Sequence, residues 1–289
     1  MGGPNSLQLY AADEATAQRA AAAAQAEVLR IEAKYSRYRD DSIVSRINAA
    51  AGSGTAIEVD DETAGLLDYA ATVFEQSDGL FDITSGVLRK AWDFKARRIP
   101  EQSEIDALLP LIGWPKVRWQ RPQLVLPLKG MQIDFGGFGK EYAADRAAAV
   151  LLSLGIRHGL VELGGDLRVV GPHPDGAPWQ VGIRHPRNPE TAIATIPLDR
   201  GALATSGDYE RYFEQAGRRY SHLLDPQTGW PISGGFASVS VVADQCVIAG
   251  SFTTVAMLKD ATDGQRWLED AGMKHLTIDA DLGVRGTMT

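Results

Sequence analysis

The chain has 289 residues, of which 44% are hydrophobic and 23% charged, an ordinary globular balance in a chain long enough to bury a substantial core. Lys and Arg number 29 against 37 Asp and Glu, giving a net charge of −8 and a pI near 5.2, which argues against nucleic acid as a partner and against adsorption to an anionic membrane. The single cysteine, Cys246, excludes an internal disulfide and a multi-cysteine zinc site, and no apolar run reaches the roughly 18 residues of a membrane-spanning helix.

The start, Met1-Gly2-Gly3-Pro4, lacks the basic-then-apolar order of a signal peptide, so none is expected in this chain and the compartment stays open. Ser6 to Ala11 alternates and predicts a strand. Asp13 to Tyr35 follows as a long Ala-rich helix, with Ala17, Ala20, Ala24, Val28, Ile31 and Tyr35 near a 3.6 period. A second helix is expected over Asp60–Glu75, capped by Asp60 or Asp61 and ended by Ser77-Asp78-Gly79. Lys116–Trp119 and Gln123–Leu126 predict a hairpin turning at Arg121-Pro122. Gln132-Ile133-Asp134 is a short strand, and a helix follows over Glu141–Leu154. Further strands are expected at Gly159–Leu163, Leu167–Val170, Trp179–Ile183, Ala192–Pro197, Tyr209–Glu214, Arg219–Leu223 and Ala237–Ala243. Helices Cys246–Leu258 and Thr262–Ala271 then precede a final hairpin over His275–Val284. With no repeat and no linker, this mixture of helices and meanders predicts one α+β domain over residues 1–289, with mixed antiparallel sheets flanked by helices.

Four constellations could carry chemistry. Asp134-Phe135-Gly136-Gly137-Phe138-Gly139-Lys140 places three glycines and a lysine between a strand and a helix. Free amides at a helix start plus a full positive charge suit a phosphate, although a tight strand-to-helix turn would use the same residues. Leu163-Gly164-Gly165-Asp166 is either a second close-approach site or an Asx turn. Ser206, His222 and Asp225 lie on what read as adjacent strands. A hydrolase triad is disfavoured there because no nucleophile elbow surrounds Ser206, and a packed strand histidine is the plainer explanation of His222. Asp78-Gly79-Leu80-Phe81-Asp82-Ile83-Thr84 could stack a flat ring on Phe81, though core packing explains it as well.

Taken together and in order, these motifs resemble the ApbE family of FAD:protein FMN transferases. The resemblance rests on Tyr35-Ser36-Arg37-Tyr38, Ser42 to Asn48, Gly79 to Thr84, Asp134 to Asp145, Gly164-Gly165-Asp166, Ser206-Gly207-Asp208-Tyr209 and His222 to Gly229, and it covers essentially the whole chain. It implies a T-fold-like ApbE architecture, FAD as substrate and Mg²⁺ as metal. FMN would pass through a phosphoester to a Thr or Ser hydroxyl of an acceptor protein, with release of AMP. By the same resemblance, His222 is the catalytic histidine and Asp225 its orienting group. Met1, Tyr38, Leu80, Phe81, Asp82, Asp134, Lys140, Asp166, Ser206, Gly207 and Leu223 contact the flavin nucleotide. The Gly137 carbonyl, Thr253 and Thr254 belong to the metal site.

Two positions depart from the resembled pattern. Gly250 stands where an Asp metal ligand is expected, and Glu141 stands where a Gly usually follows the lysine. Hard cations prefer carboxylates, so Gly250 predicts a weakened Mg²⁺ site unless Glu141 faces it. The alternatives that follow are a flavin-binding protein without transfer, or a metal-dependent FAD pyrophosphatase. No acceptor motif of the flavinylated kind occurs in the chain itself.

Overall fold

The computed structural model describes residues 3–288. In chain order it contains β1 (Asn5–Tyr10), α1 (Glu14–Tyr35), α2 (Ile43–Ala49), β2 (Ile57–Glu58), α3 (Asp61–Gln76), a 3₁₀ segment (Ile83–Lys90) and α4 (Gln102–Asp106). The middle holds β3 (Arg118–Gln120), β4 (Gln123–Val125), α5 (Gly139–Ser153), β5 (His158–Leu163), β6 (Asp166–Gly171), β7 (Trp179–His185) and β8 (Asn188–Leu198). The remainder is β9 (Ala202–Gly207), β10 (Tyr212–Gln215), β11 (Arg218–Ser221), β12 (Ser238–Ala243), α6 (Cys246–Leu258), α7 (Ala261–Asp270), β13 (Lys274–Ile278) and β14 (Val284–Gly286). The α+β class expected from the sequence is the class observed. Among the described residues no helix is long and apolar enough to cross a membrane.

The chain divides into two compact units. The first comprises Met1–Glu32, Gly136–Tyr209 and Gly234–Thr289; the second comprises Ala33–Phe135 and Glu210–Ser233.

The first unit is built on a seven-stranded antiparallel sheet in the order β1-β5-β6-β9-β12-β13-β14. Side chains alternate between its faces, as the two-residue strand period requires. Leu160, Leu167, Val169, Leu203, Leu276 and Ile278 point one way, into an apolar cluster with Trp179, Val181, Ile183, Ile196 and Leu198 of the β7–β8 ribbon. The opposite face meets α5 and α6: Arg168 of β6 reaches Asp145 of α5 at 3.1 Å, and Ser206 of β9 reaches Thr253 of α6 at 2.8 Å. Ribbon, sheet and helix pair form three layers. Asp145 also accepts the Cys246 and Val247 amides at 2.8 and 2.9 Å, which fixes the start of α6 against α5.

The second unit holds α2, α3, a small β2-β4-β3 sheet, the 3₁₀ segment and the β10–β11 hairpin. Its aromatic core groups Trp92, Phe213 and Tyr220 with Ala91 and Ile105. Trp92 donates its indole N–H to the Gly229 carbonyl at 2.8 Å. Gly229 has φ +74°, and a Cβ there would come within 2.4 Å of Ile105 Cγ2.

The expected strand at Tyr209–Glu214 begins three residues later, at Tyr212. The Asp208 amide donates to the Ala237 carbonyl instead, and Tyr209 lies in the turn that follows β9. The expected strand over Gln132–Asp134 does not form, because the Asn48 side chain takes the Ile133 amide and carbonyl at 2.7 and 3.0 Å. β2, α4, α2 and the 3₁₀ segment are not anticipated by the sequence. α2 is only seven residues long, too short to display a period, and is started by Ser42 accepting from the Ser45 amide. The 3₁₀ segment is started by Asp82.

Candidate functional site

In the first unit, the glycine-rich turn delivers the chain into α5. Phe138, at the helix start, is fully buried and supplies no side-chain cap, while Gly136 and Gly137 are exposed. The amides of the first turn therefore have no capping side chain at that position. The second helical residue, Lys140, places Nζ 2.5 Å from Asp166 Oδ2, 3.8 Å from Glu141 Oε1 and 3.5 Å from the Gly164 carbonyl. Gly164 permits this approach. It has φ +59°, and a Cβ there would sit 3.2 Å from Lys140 Cδ. Asp166 is 2% exposed and also accepts the Thr205 amide at 3.0 Å. Burial alone would lower the Lys140 ammonium, but the carboxylates of Asp166 and Glu141 outweigh it and raise it well above a free lysine. This cation stays charged at any physiological pH.

Glu141 points inward. It is 7% exposed, and its Oε2 is buried with no hydrogen-bond partner. Burial first and the Asp166 charge second push its acid up to about 8, against the pull of Lys140. Its side chain fills the room beside Gly250: a Cβ at position 250 would come 2.6 Å from Glu141 Cγ and 3.0 Å from its Cδ. The two departures from the resembled sequence pattern are thus in contact. One helix turn onward, Thr253 Oγ1 donates to the Gly250 carbonyl at 2.9 Å. With that proton committed, Thr253 accepts at 2.8 Å from Ser206 Oγ, which must be the donor. Gly207 is covered by Tyr209, whose ring a Cβ at 207 would meet at 2.4 Å. Among the described residues no three His, Cys, Asp or Glu side chains form a metal-holding group. Any cation here would have to draw on hydroxyls, carbonyls or substrate oxygens as well as carboxylate.

In the second unit, Tyr38 is 82% exposed. Arg37 donates to the Tyr38 hydroxyl at 2.6 Å and to Asp134 Oδ2 at 2.9 Å, and its guanidinium lies 4.7 Å from the Tyr38 ring centroid. Arg89 Nε is 3.8 Å from the same Asp134 oxygen. The hydrogen bond from Arg37 lowers the Tyr38 phenol, and burial with Arg37 beside it lowers Arg89. The two arginines were missed as site candidates. Arg37 stands inside the quoted Tyr35–Tyr38 motif, but its partner Asp134 is 97 residues away. Asp82 accepts from the Thr84 amide and hydroxyl at 2.7 Å each and from the Trp114 amide at 3.0 Å, and burial raises its acid. Phe81 is buried, with its amide donating to Ser77 Oγ, and Leu80 is half-buried beside it.

His222 is half-buried and its amide donates to the Arg211 carbonyl at 2.9 Å. Asp225 heads a turn: its carboxylate accepts the Gln227 amide at 2.7 Å and its carbonyl the Gly229 amide at 2.8 Å. The Leu223 carbonyl accepts from Ile232 at 3.1 Å, which ties this loop to itself. Met1 lies outside the described residues.

A family model described as the ApbE family matches residues 1–277. The chain is 32% identical over 234 residues to the FAD:protein FMN transferase of Haemophilus influenzae, covering 78% of this chain and 68% of that protein. It is 34% identical over 229 residues to the FAD:protein FMN transferase of Vibrio cholerae, covering 77% and 68%. Among solved structures it is similar to an ApbE protein from Thermotoga maritima, with a TM-score of 0.88 and 32% identity over 98% of this chain and 94% of that one. The flavin transferase ApbE from Vibrio cholerae gives a TM-score of 0.87 at 27% identity, covering 99% and 93%.

Proposed function

The chain belongs to the ApbE family, and from that premise we propose that it transfers FMN from FAD to a Ser or Thr hydroxyl of an acceptor protein. The whole chain, both units, serves this one activity. The acceptor oxygen attacks the FMN phosphorus, the P–O–P bond breaks, AMP leaves with the bridging oxygen, and a phosphoester forms. The observation that carries the reading is Lys140. It is a permanently charged ammonium, fixed by the buried Asp166 at 2.5 Å, at the start of a helix that follows exposed glycines. That is suitable equipment for a pyrophosphate, because phosphoryl transfer depends on positioning and charge neutralisation.

In this reading Lys140 takes the pyrophosphate, with the Gly136–Gly139 amides assisting. Ser206 and Gly207, and in the second unit Tyr38, Leu80, Phe81, Asp82, Asp134 and Leu223, serve FAD, with Arg37 holding Tyr38 and Asp134 in place. Asp166 acts by fixing Lys140. His222 accepts the proton of the attacking hydroxyl. Asp225, anchored by the Gln227 amide, sets the loop that carries His222. Bound Mg²⁺ would supply further neutralisation of the pyrophosphate. The Gly137 carbonyl, Thr253 and Thr254 are its proposed oxygen donors, and the unpartnered Glu141 oxygen beside Gly250 answers the expected lack of a carboxylate.

The experiment is incubation of the protein with FAD and Mg²⁺, with and without a protein acceptor bearing a Ser/Thr flavinylation motif. AMP released only with acceptor, together with a flavin-labelled acceptor, is the expected result. AMP released equally without acceptor would replace transfer by FAD hydrolysis, and no AMP in either arm would leave flavin binding alone.

A further inference from the structure

We propose that Glu141 is a ligand of a divalent cation, Mg²⁺ or its surrogate Mn²⁺, held where α5 packs on α6. The inference deepens the transferase reading and rests on it for the cation's purpose, but the packing argues it. Gly250 offers α6 without a side chain, and Glu141 occupies that room: a Cβ at 250 would lie 2.6 Å from Glu141 Cγ and 3.0 Å from Oε1. The carboxylate is therefore pressed against the α6 backbone instead of reaching solvent.

One of its oxygens, Oε2, is buried and makes no hydrogen bond. Leaving such an atom unsatisfied is costly, and native interiors rarely do so without an ion, a water or a function to explain it. The neighbouring charges do not balance either. Lys140 is 2.5 Å from Asp166 and 3.8 Å from Glu141, so one ammonium faces two buried acids and ionising Glu141 calls for a second cation. A positive ion at Glu141 makes good both deficits. Hard divalent cations take carboxylate, hydroxyl and carbonyl oxygens, and α6 carries the Gly250 carbonyl and the Thr253 hydroxyl on the same turn. The competing account is a carboxylic acid kept protonated in the interior. That acid would hydrogen-bond Asp166 and fill the room beside Gly250 equally well, so Glu141-dependent cation binding is what separates the two accounts.

The test uses the full chain, with and without FAD, titrated with Mn²⁺ and read by the electron paramagnetic resonance of the free ion. Glu141→Gln keeps the side-chain volume and removes its charge. Mn²⁺ affinity is expected to fall at least tenfold, with the metal-free melting temperature unchanged or raised. Glu141→Gly/Gly250→Asp moves the carboxylate across to α6 and should recover most of the affinity. A wild-type protein that binds no Mn²⁺ in either state overturns the proposal, as does a folded Glu141→Gln variant with wild-type affinity. If Glu141→Gln does not fold, Glu141→Gly decides: a tenfold loss of Mn²⁺ affinity that the added Gly250→Asp recovers supports the proposal, and wild-type affinity in Glu141→Gly alone overturns it. These arms are independent of turnover. Glu141-dependent Mn²⁺ binding without AMP release would sink the transferase reading and leave this one standing. AMP release with Mn²⁺ binding indifferent to Glu141 would do the reverse.

Discussion

Replacing Lys140 by Met isolates the charge at the start of α5, because the unbranched side chain keeps most of the volume. The change strands Asp166, which is 2% exposed, and leaves the buried Glu141 beside it with no cation. Breaking a fully buried ion pair costs roughly 3–5 kcal/mol. The Lys140 side chain keeps 33% exposure, so water reaches one side of the pair, and the expected loss is about 2–3 kcal/mol. For a chain of this size that lowers the melting temperature by about 5–10 °C. The same variant removes a charge-assisted contact to the pyrophosphate, worth about 1.5–3 kcal/mol, so FAD should bind at least tenfold more weakly. Differential scanning fluorimetry in chelator-treated buffer reads the first effect, and titration of flavin fluorescence reads the second. Lys140→Met/Asp166→Asn should recover part of the stability but none of the FAD affinity, which separates the two contributions. A Lys140→Met protein with wild-type melting temperature and wild-type FAD affinity would refute both the buried pair and its place at the substrate.

Three further outcomes are expected. His222→Ala should keep its fold and its FAD affinity while losing about 10²–10⁴-fold in transfer rate, measured as acceptor labelled and AMP released per unit time; an unchanged rate assigns the proton elsewhere. Asp82 has its acid raised by burial, so its contribution to stability is complete below the ordinary aspartate range near pH 4 and is lost as pH rises through the higher folded value. Asp82→Asn should flatten that part of the stability–pH curve, at a cost of about 1 kcal/mol for the weakened Trp114 contact, and an unaltered slope would show that another group sets it. Gly229→Ala combines a left-handed φ of +74° with a Cβ 2.4 Å from Ile105 Cγ2, and should destabilise by about 2–4 kcal/mol in chemical unfolding; a loss under about 1 kcal/mol would mean the loop relaxes freely.

Much of this molecule is legible in its sequence wherever a period is long enough to count. The 22 residues of α1, the 15 of α5 and the alternating strands of the large sheet all announce themselves. The 3₁₀ segment does not, because Ile83–Lys90 has no 3.6 repeat and interrupts itself with Ser85-Gly86. The site was legible as motifs and illegible as contacts. Lys140 and Asp166 each stand out beside glycines, yet only the folded chain closes them to 2.5 Å. The direction of Glu141 depends on the phase of α5, which the flanking glycines obscure. The interior volume that receives it is created by an absence on α6, and a missing side chain at Gly250 reads in the sequence as a loss. In the structure it is room for a neighbour. Gly250→Asp alone, which the sequence pattern recommends for strengthening the metal site, would collide with Glu141 and needs the compensating change to be tolerated.

The sheet order also governs when the protein can fold. β1 is an edge strand whose ladder partner is β5; Ser6 and Glu162, hydrogen-bonded at 2.7 Å, are 156 residues apart in the chain. At a synthesis rate of about 5–20 residues per second, on the order of 10–30 s pass between the appearance of β1 and that of its partner. Throughout that interval the nascent strand presents an unpaired backbone edge, the condition that invites pairing with a foreign strand. The second unit is completed only by Glu210–Ser233, and the first later still, by Gly234–Thr289. Ribosome-bound chains halted before Glu210–Ser233 should therefore be protease-sensitive, and a holding chaperone should raise the yield of folded protein, whereas slower translation, which lengthens the exposed interval, should lower it.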